Sequence, residues 1–286
     1  MKIAVTTASG NLGGAIINHL KQKIGAENVI GFARTPEKAK SLGVEIRKGD
    51  YNNKEDFDKS LKDVDALLLV SGMDQPDKRI QQHRNVIQAA KENGVKRIVY
   101  TSITGAEKGN AFSPVVASNR QTEEDIRNSG LQWAIGRDGI YIEPDLEYID
   151  NYKKDGGIIN SAAEGKCGYT SREELAFAYF NLLTDDKLSG KTYNLFGEPV
   201  TQKQLVEAIN TAYNINLNYK SISIEEYTKQ RQLALGEFLG TIIGGIYEGI
   251  RTGKFDGKSD FLEVAKRTHK SLKEMINDFI CQKNNH

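Results

Sequence analysis

Residues 3–14, Ile-Ala-Val-Thr-Thr-Ala-Ser-Gly-Asn-Leu-Gly-Gly, constrain this chain more than any other stretch. A short apolar run breaks into a turn of small residues, and Ala15, Ile16, Ile17 and Leu20 then recur at helical spacing. A strand, a glycine-containing turn and a helix in that order open a dinucleotide-binding βαβ unit. Glycine lets backbone N–H groups approach a pyrophosphate, and the helix N-terminus supplies partial positive charge to it. The usual pattern carries three glycines three residues apart. Here the positions read Thr7, Gly10 and Gly13, so the first glycine is replaced. A negative φ at Thr7 makes the replacement cheap, whereas a positive φ strains the turn by about 1 kcal/mol or more.

The first half of the chain continues the alternation. Strands are expected at 3–6, 29–33, 45–48, 66–70, 97–101 and 132–136, and helices at 13–23, 36–41, 54–61, 79–93 and 121–129. Such alternation implies right-handed βαβ crossovers and a parallel sheet. Residues 66–70, Ala-Leu-Leu-Leu-Val, are continuously apolar, as in a strand buried on both faces. Beyond Gly136 the rhythm changes. Isolated strands are expected at 156–159 and 191–195, and helices at 172–183 and 201–213, the latter two capped by Ser171 and Thr201 with an acid or amide three residues on. The tail from 224 to 279 reads as helical and polar, and its apolar part, 238–246, as a packed helix or turn interrupted by glycines. The fold expected is α/β, a Rossmann-type doubly wound parallel sheet with a smaller, mostly helical C-terminal lobe. The nucleotide-binding domain is expected over 1–137 with a return strand near 191–196, and the substrate lobe over 138–286.

At 286 residues the chain is long enough for this arrangement, and a net charge of +1 provides no global field for nucleic acid or an anionic membrane. The two cysteines, Cys167 and Cys281, are far apart with no CxxC pair, which argues against a disulfide framework and a metal site. No run approaches the roughly 18 apolar residues of a membrane span, and no secretory leader pattern opens the sequence. These features predict a cytoplasmic protein with neither nucleic-acid nor membrane partners, and leave a homodimer open.

An NAD site usually carries an acid about 20 residues past the glycines, bonded to the ribose 2′-OH. The second strand instead ends Phe32-Ala33-Arg34-Thr35, with no acid. Arg34 stands where a 2′-phosphate would lie, with Thr35 and Lys38 as further donors, and an arginine fork matches phosphate geometry. The plain alternative is a solvated surface arginine. Asp50, after the third strand, suits either the adenine amine or a helix cap. Ser71-Gly72 and Thr101 end the fourth and fifth strands, whose carboxyl ends flank the cofactor crevice. His83, on an amphipathic helix between Gln82 and Arg84, reads as structural.

None of the twelve tyrosines has lysine four residues on, so the YxxxK pair that lowers a tyrosine pKa for proton transfer is absent. Alcohol oxidation and sugar epimerisation lose support. Quinone reduction survives, because the acceptor is already electrophilic and its product oxygens can take protons from water.

Several strings together carry a resemblance: 10–14 (Gly-Asn-Leu-Gly-Gly), 33–39 (Ala-Arg-Thr-Pro-Glu-Lys-Ala), 49–51 (Gly-Asp-Tyr), 67–71 (Leu-Leu-Leu-Val-Ser), 82–87 (Gln-His-Arg-Asn-Val-Ile), 94–102 (Gly-Val-Lys-Arg-Ile-Val-Tyr-Thr-Ser), 137–141 (Arg-Asp-Gly-Ile-Tyr) and 191–195 (Lys-Thr-Tyr-Asn-Leu). The chain resembles the NmrA-like NAD(P)H:quinone oxidoreductases and their triphenylmethane reductase relatives, atypical short-chain dehydrogenases without YxxxK, over nearly its whole length. The resemblance implies NADPH held by Gly10, Asn11, Leu12, Gly13 and Arg34, with a small-molecule acceptor, a quinone, over the nicotinamide between the lobes. It places pocket roles near Ser71, Tyr141 and 119–123. The full set of cofactor candidates is Thr7, Ser9, Gly10, Asn11, Leu12, Gly13, Arg34, Lys38, Asp50, Ser71, Gly72 and Thr101, with Tyr141 as the catalytic candidate that orients the acceptor. Two positions depart from the family pattern: Thr7 replaces its first glycine, and Asp138 stands where it usually has asparagine. A carboxylate there disfavours an anionic ligand or changes the substrate. The rival reading is an NmrA-type redox sensor that binds NADP(H) without turnover, and a third is a nucleoside-diphosphate-sugar epimerase-like protein.

Overall fold

The computed structural model describes residues 1–284. Seven strands form one parallel sheet: β1 (Ile3–Val5), β2 (Val29–Ala33), β3 (Glu45–Lys48), β4 (Ala66–Val70), β5 (Arg97–Ile103), β6 (Gln132–Asp138) and, returning from late in the chain, β10 (Thr192–Leu195). Their spatial order is β10-β6-β5-β4-β1-β2-β3. The order reverses between β1 and β4, and it is in the crevice outside the carboxyl ends at such a switch point that doubly wound sheets bind ligands. β1, β2 and β4 are buried at every residue, and their Ile, Val and Leu runs suit strands covered on both faces.

One face is covered by α1 (Asn11–Ile24) and α7 (Arg172–Thr184), which present Ile16, Ile17, Leu20, Leu175, Leu182 and Leu183 to Val5, Leu68 and Val99. The other is covered by α2 (Lys54–Ser60), α3 (Pro76–Glu92) and α4 (Ser113–Arg127), where Phe57, Val86, Ala90 and Ile126 meet Phe32, Leu67, Leu69 and Tyr100. α4 begins eight residues before the expected 121, because Pro114 fits the first turn of a helix, where its missing N–H costs nothing. Residues 36–42 form a 3₁₀ helix.

A third core lies toward the C-terminus. It joins β7 (Ile140–Tyr141), α5 (Glu143–Glu147), α6 (Ile149–Asp155), β8 (Gly157–Asn160), β9 (Lys166–Thr170), β11 (Pro199–Thr201), α8 (Gln202–Tyr213), β12 (Asn218–Ser221), α10 (Glu237–Arg251) and α12 (Leu272–Asn284), while α9 (Ile224–Leu235) packs on α10 and α11 (Phe261–Ala265) joins the core around α1 and α7. Its apolar centre includes Ile142, Leu146, Tyr169, Leu205, Ile209, Ile250 and Ile276. The stretch 238–246 lies inside α10, whose glycines face its neighbours closely; a Cβ at Gly245 would collide with the Phe112 amide. Ser171 accepts the Glu174 N–H at 3.2 Å, and Thr201 forms a reciprocal capping box with Gln204. Among the described residues, no helix is long and apolar enough to cross a membrane.

Candidate functional site

The turn after β1 builds the head of the crevice. The Gly10 N–H donates to the Thr7 carbonyl at 2.8 Å, and the first helical bond of α1 runs from Gly14 N–H to Gly10 O at 2.9 Å. The N–H groups of Asn11, Leu12 and Gly13 therefore have no intrahelical acceptor. Gly10 at the helix cap offers no side chain to fill them, and the first turn of α1 carries no acid. Gly13 is required by close packing: a Cβ there would collide with the Thr7 carbonyl oxygen and press on Thr6 O at 3.0 Å. Ser9, Gly10 and Asn11 are exposed at the mouth, whereas the Leu12 side chain is buried in the core, leaving only its backbone to face a ligand. This is an anion cradle in which N–H donors and the helix dipole converge. It fits a pyrophosphate.

Thr7 has φ of +51°. The second of the two cases set out for this position is the one found. A β-branched residue in the left-handed region is a genuine outlier. Its hydroxyl makes no hydrogen bond among the described residues. The neighbouring Thr6 hydroxyl instead ties the strand ends together, accepting from Val70 N–H at 2.8 Å and from Tyr51 Oη at 2.6 Å, and donating to Leu68 O at 3.2 Å.

Arg34 and Lys38, just past β2, are exposed and form no hydrogen bond or ion pair through their side chains among the described residues. Both cations are thus available to a phosphate on this side of the crevice. Asp50 turns inward on its own loop, where Oδ1 accepts Asn52 N–H at 3.0 Å. The cap of α2 is Asn53, which accepts Glu55 N–H at 3.1 Å, so the capping alternative for Asp50 is excluded.

The turn after β4 is held from behind. Ser71 N–H donates to Thr101 Oγ1 at 2.8 Å, and Ser71 Oγ donates to Asn119 Oδ1 at 3.0 Å, which also accepts Tyr100 Oη at 2.5 Å. Thr101 is buried with its hydroxyl engaged on this turn, so it braces the crevice wall from within. Gly72 N–H donates to His83 Nε2 at 3.0 Å, which makes Nδ1 the protonated nitrogen, donating to Thr122 Oγ1 at 2.9 Å. Burial, then Arg79, pushes the His83 pKa down to about 3. The imidazole is a neutral strut. Arg79 adds a bond to Gly72 O at 3.2 Å and a contact with the Ser118 hydroxyl.

At the far side, Glu123 of α4 is wholly buried and binds Arg137 in a bidentate pair at 2.8 and 2.7 Å, together with Arg120 and Arg127. Burial alone would raise its pKa, but Arg137 and Arg120 hold it below the ordinary glutamate value. Tyr141, half-buried in β7, donates to Asp138 Oδ2 at 2.8 Å, and Tyr179 of α7 donates to Asp138 Oδ1 at 2.5 Å. Sequence reasoning missed Tyr179, the Thr6–Tyr51 link and the Glu123 hub. These depend on pairings more than 40 residues apart or on a register within α4 that periodicity does not expose. The turn residues, Arg34, Ser71 and Tyr141 lie at or just past the strand ends where the sequence expects them.

Comparison with known proteins follows the same lines. The NAD(P)H-binding family profile matches residues 7–186. Quinone oxidoreductase 2 of Escherichia coli is 31% identical over 231 residues, which span 79% of this chain and 79% of that protein. The structure of the Citrobacter sp. triphenylmethane reductase complexed with NADP(H) superposes with a TM-score of 0.89 at 32% identity, covering 97% of this chain and 99% of the other. An NADPH-dependent quinone oxidoreductase from Escherichia coli complexed with NADPH gives 0.88 at 27% identity, with 97% and 99% covered.

Proposed function

The chain belongs to the NAD(P)H-binding family and is an NADPH-dependent oxidoreductase; from that premise we propose that it reduces a quinone-like or other electrophilic aromatic acceptor by direct hydride transfer. The observation that carries the reading is the acid-free N-terminus of α1, with three backbone N–H donors left open beside two cations that are unengaged among the described residues. The pyrophosphate would rest on Asn11, Leu12 and Gly13 N–H with Ser9 and Gly10 at the rim, and the 2′-phosphate on Arg34 and Lys38. Asp50, Ser71 and Gly72 line the way from the adenosine end to the nicotinamide end. We place the acceptor between the nucleotide-binding part, 1–137 with β10, and the lobe formed by 138–286.

When bound, NADPH supplies the hydride. The protein's share is positioning and exclusion of water. The turn after β4, fixed by Thr101, His83 and Arg79, holds one wall, and Tyr141 orients the acceptor on the other. With no YxxxK pair to ionise a tyrosine, an acceptor that is electrophilic without protein help is the one this site suits. Relatives named for quinone and triphenylmethane reduction support that class. The test is NADPH consumption in the purified protein with a panel of benzoquinones and cationic triphenylmethane dyes. Acceptor-dependent consumption is expected, and NADPH binding without turnover of any acceptor would favour the sensor reading instead.

A further inference from the structure

Asp138 is a carboxylate in an unusual place. It ends β6, on the same sheet edge as the turn after β1 and the turn after β4. It is 2% exposed, and no salt bridge reaches it among the described residues. Its two oxygens are divided between two phenols from different elements: Oδ1 takes Tyr179 Oη at 2.5 Å and Oδ2 takes Tyr141 Oη at 2.8 Å. Further charged and titratable groups act on the phenols. Glu143 of α5 and Arg172 of α7 act on Tyr141, and Tyr100 of β5 acts on Tyr179. β10 brings only Leu195 opposite Asp138 in register. A buried carboxylate without a cation disfavours its charged form, and burial raises the Asp138 pKa to about 7 despite both phenol bonds.

The two oxygens are not equivalent. Tyr179 is fully buried, also contacts Gly136 O at 3.2 Å, and holds Oδ1 fixed. Tyr141 of β7 is half-buried, so Oδ2 faces the one phenol of the pair whose residue keeps exposed surface. When Asp138 is ionised, Tyr141 must donate inward to Oδ2. When Asp138 carries its proton on Oδ2, it donates to the Tyr141 oxygen, and the Tyr141 hydroxyl is released to point outward.

We infer that Asp138 is a proton store that acts through Tyr141 during acceptor reduction, a positioning residue that recharges the tyrosine hydroxyl beside the reduced acceptor; the inference rests on the reductase reading above. A quinone is the acceptor that needs a proton. Hydride addition leaves an anionic oxygen on the acceptor. The Tyr141 O–H bond breaks as its proton joins that oxygen, and the proton on Asp138 Oδ2 moves to the Tyr141 oxygen, so no phenolate persists. One hydride and one proton convert quinone to hydroquinone, and the Asp138 carboxylate regains its proton from water. A cationic triphenylmethane dye needs no proton, because hydride alone makes it neutral. The two acceptors therefore separate proton supply from every other role of the site.

The experiment measures kcat/KM for a benzoquinone and for crystal violet between about pH 5 and pH 9 in wild type, Asp138→Asn and Tyr141→Phe. In wild type the quinone-to-dye ratio should fall above about pH 7 as the store empties. In both variants the ratio at acid pH should fall by about 10-fold, below the usual 10²- to 10⁴-fold of general-acid catalysis because water protonates the product in competition. Asp138→Asn should also abolish the pH dependence of the ratio. In the cofactor-free protein, infrared spectroscopy should show a carboxylic acid C=O band that titrates near neutrality and is missing from Asp138→Asn. A wild type that reduces both acceptors, with a ratio unmoved by either variant, overturns the proton store alone. A wild type that reduces neither overturns the reductase reading and the proton store with it. A strut that merely ties β6 to α7 would lower both rates together and leave the ratio flat.

Discussion

Replacing Thr7 by glycine should make this protein more stable. The residue holds φ at +51° without a side-chain hydrogen bond among the described residues to reward it. The left-handed region costs an L-residue about 1–2 kcal/mol, and branching at Cβ places Thr7 at the upper end. Glycine removes that strain and adds about 0.5–1 kcal/mol of unfolded-state entropy. The net is a stabilisation of about 1–1.5 kcal/mol, or a rise in Tm of about 2–6 °C for a chain of this size. Thr7→Val, which keeps the branch and the strain, should give no gain. The assay is urea and thermal unfolding of the three proteins without nucleotide. The Thr7 carbonyl still accepts Gly10 N–H in the variant, and the open donors belong to residues 11–13. NADPH affinity should therefore stay within about 3-fold, a change under 1 kcal/mol. A destabilisation of Thr7→Gly by about 1 kcal/mol or more would refute the strain argument. A large gain in NADPH affinity would show that the threonine weakens binding and would favour the sensor.

The remaining predictions concern the same crevice. Arg34→Glu should weaken NADPH relative to NADH by about 10- to 150-fold, the worth of one charged hydrogen bond at roughly 1.5–3 kcal/mol; equal loss of both nucleotides by calorimetry would remove Arg34 from the 2′-phosphate. Gly13→Ala forces a Cβ against the Thr7 carbonyl, and should cost about 1–3 kcal/mol of stability together with about 10-fold or more in NADPH affinity; near-normal values of both in unfolding and titration would mean the turn is open. His83 has a folded pKa of about 3 against an ordinary 6.5, so its neutral strut stabilises fully above about pH 6.5 and loses that contribution as the pH falls toward 3. The unfolding free energy of wild type relative to His83→Gln should thus drop by about 2 kcal/mol between pH 7 and about pH 5, and a constant difference would show that the imidazole is not held neutral.

How much of this was readable follows from where the signal lies. β2, β3 and β4 fall at their expected bounds because each is a short β-rich run closed by turn or charged residues. β5 and β6 run two residues further than expected, to Ile103 and Asp138, because strand pairing continues past the apolar run. That extension puts Asp138 inside the sheet edge, and its partner Tyr179 lies 41 residues away on a helix from the opposite side of the chain's course. The small sheets of the C-terminal part escaped because β7, β11 and β12 are two to four residues long and β9, Lys-Cys-Gly-Tyr-Thr, has no alternating pattern. The glycine turn and Arg34 were legible because both are local: one needs backbone close to a phosphate, the other a cation at a strand end. The sign of φ at Thr7 was not, since it depends on the way the turn closes over Gly10 and Gly13.

The central claim is direct hydride transfer from NADPH to an electrophilic aromatic acceptor. It is tested most directly by single turnover with NADPH deuterated at the hydride-donating carbon of its nicotinamide ring, each face in turn, and crystal violet as acceptor. The central carbon of the reduced dye does not exchange its hydrogen with water. One deuterium is expected at that carbon, from one face only, by mass spectrometry. Reduced dye without label from either face, or bound NADPH that stays unoxidised with the dye unchanged, would contradict it.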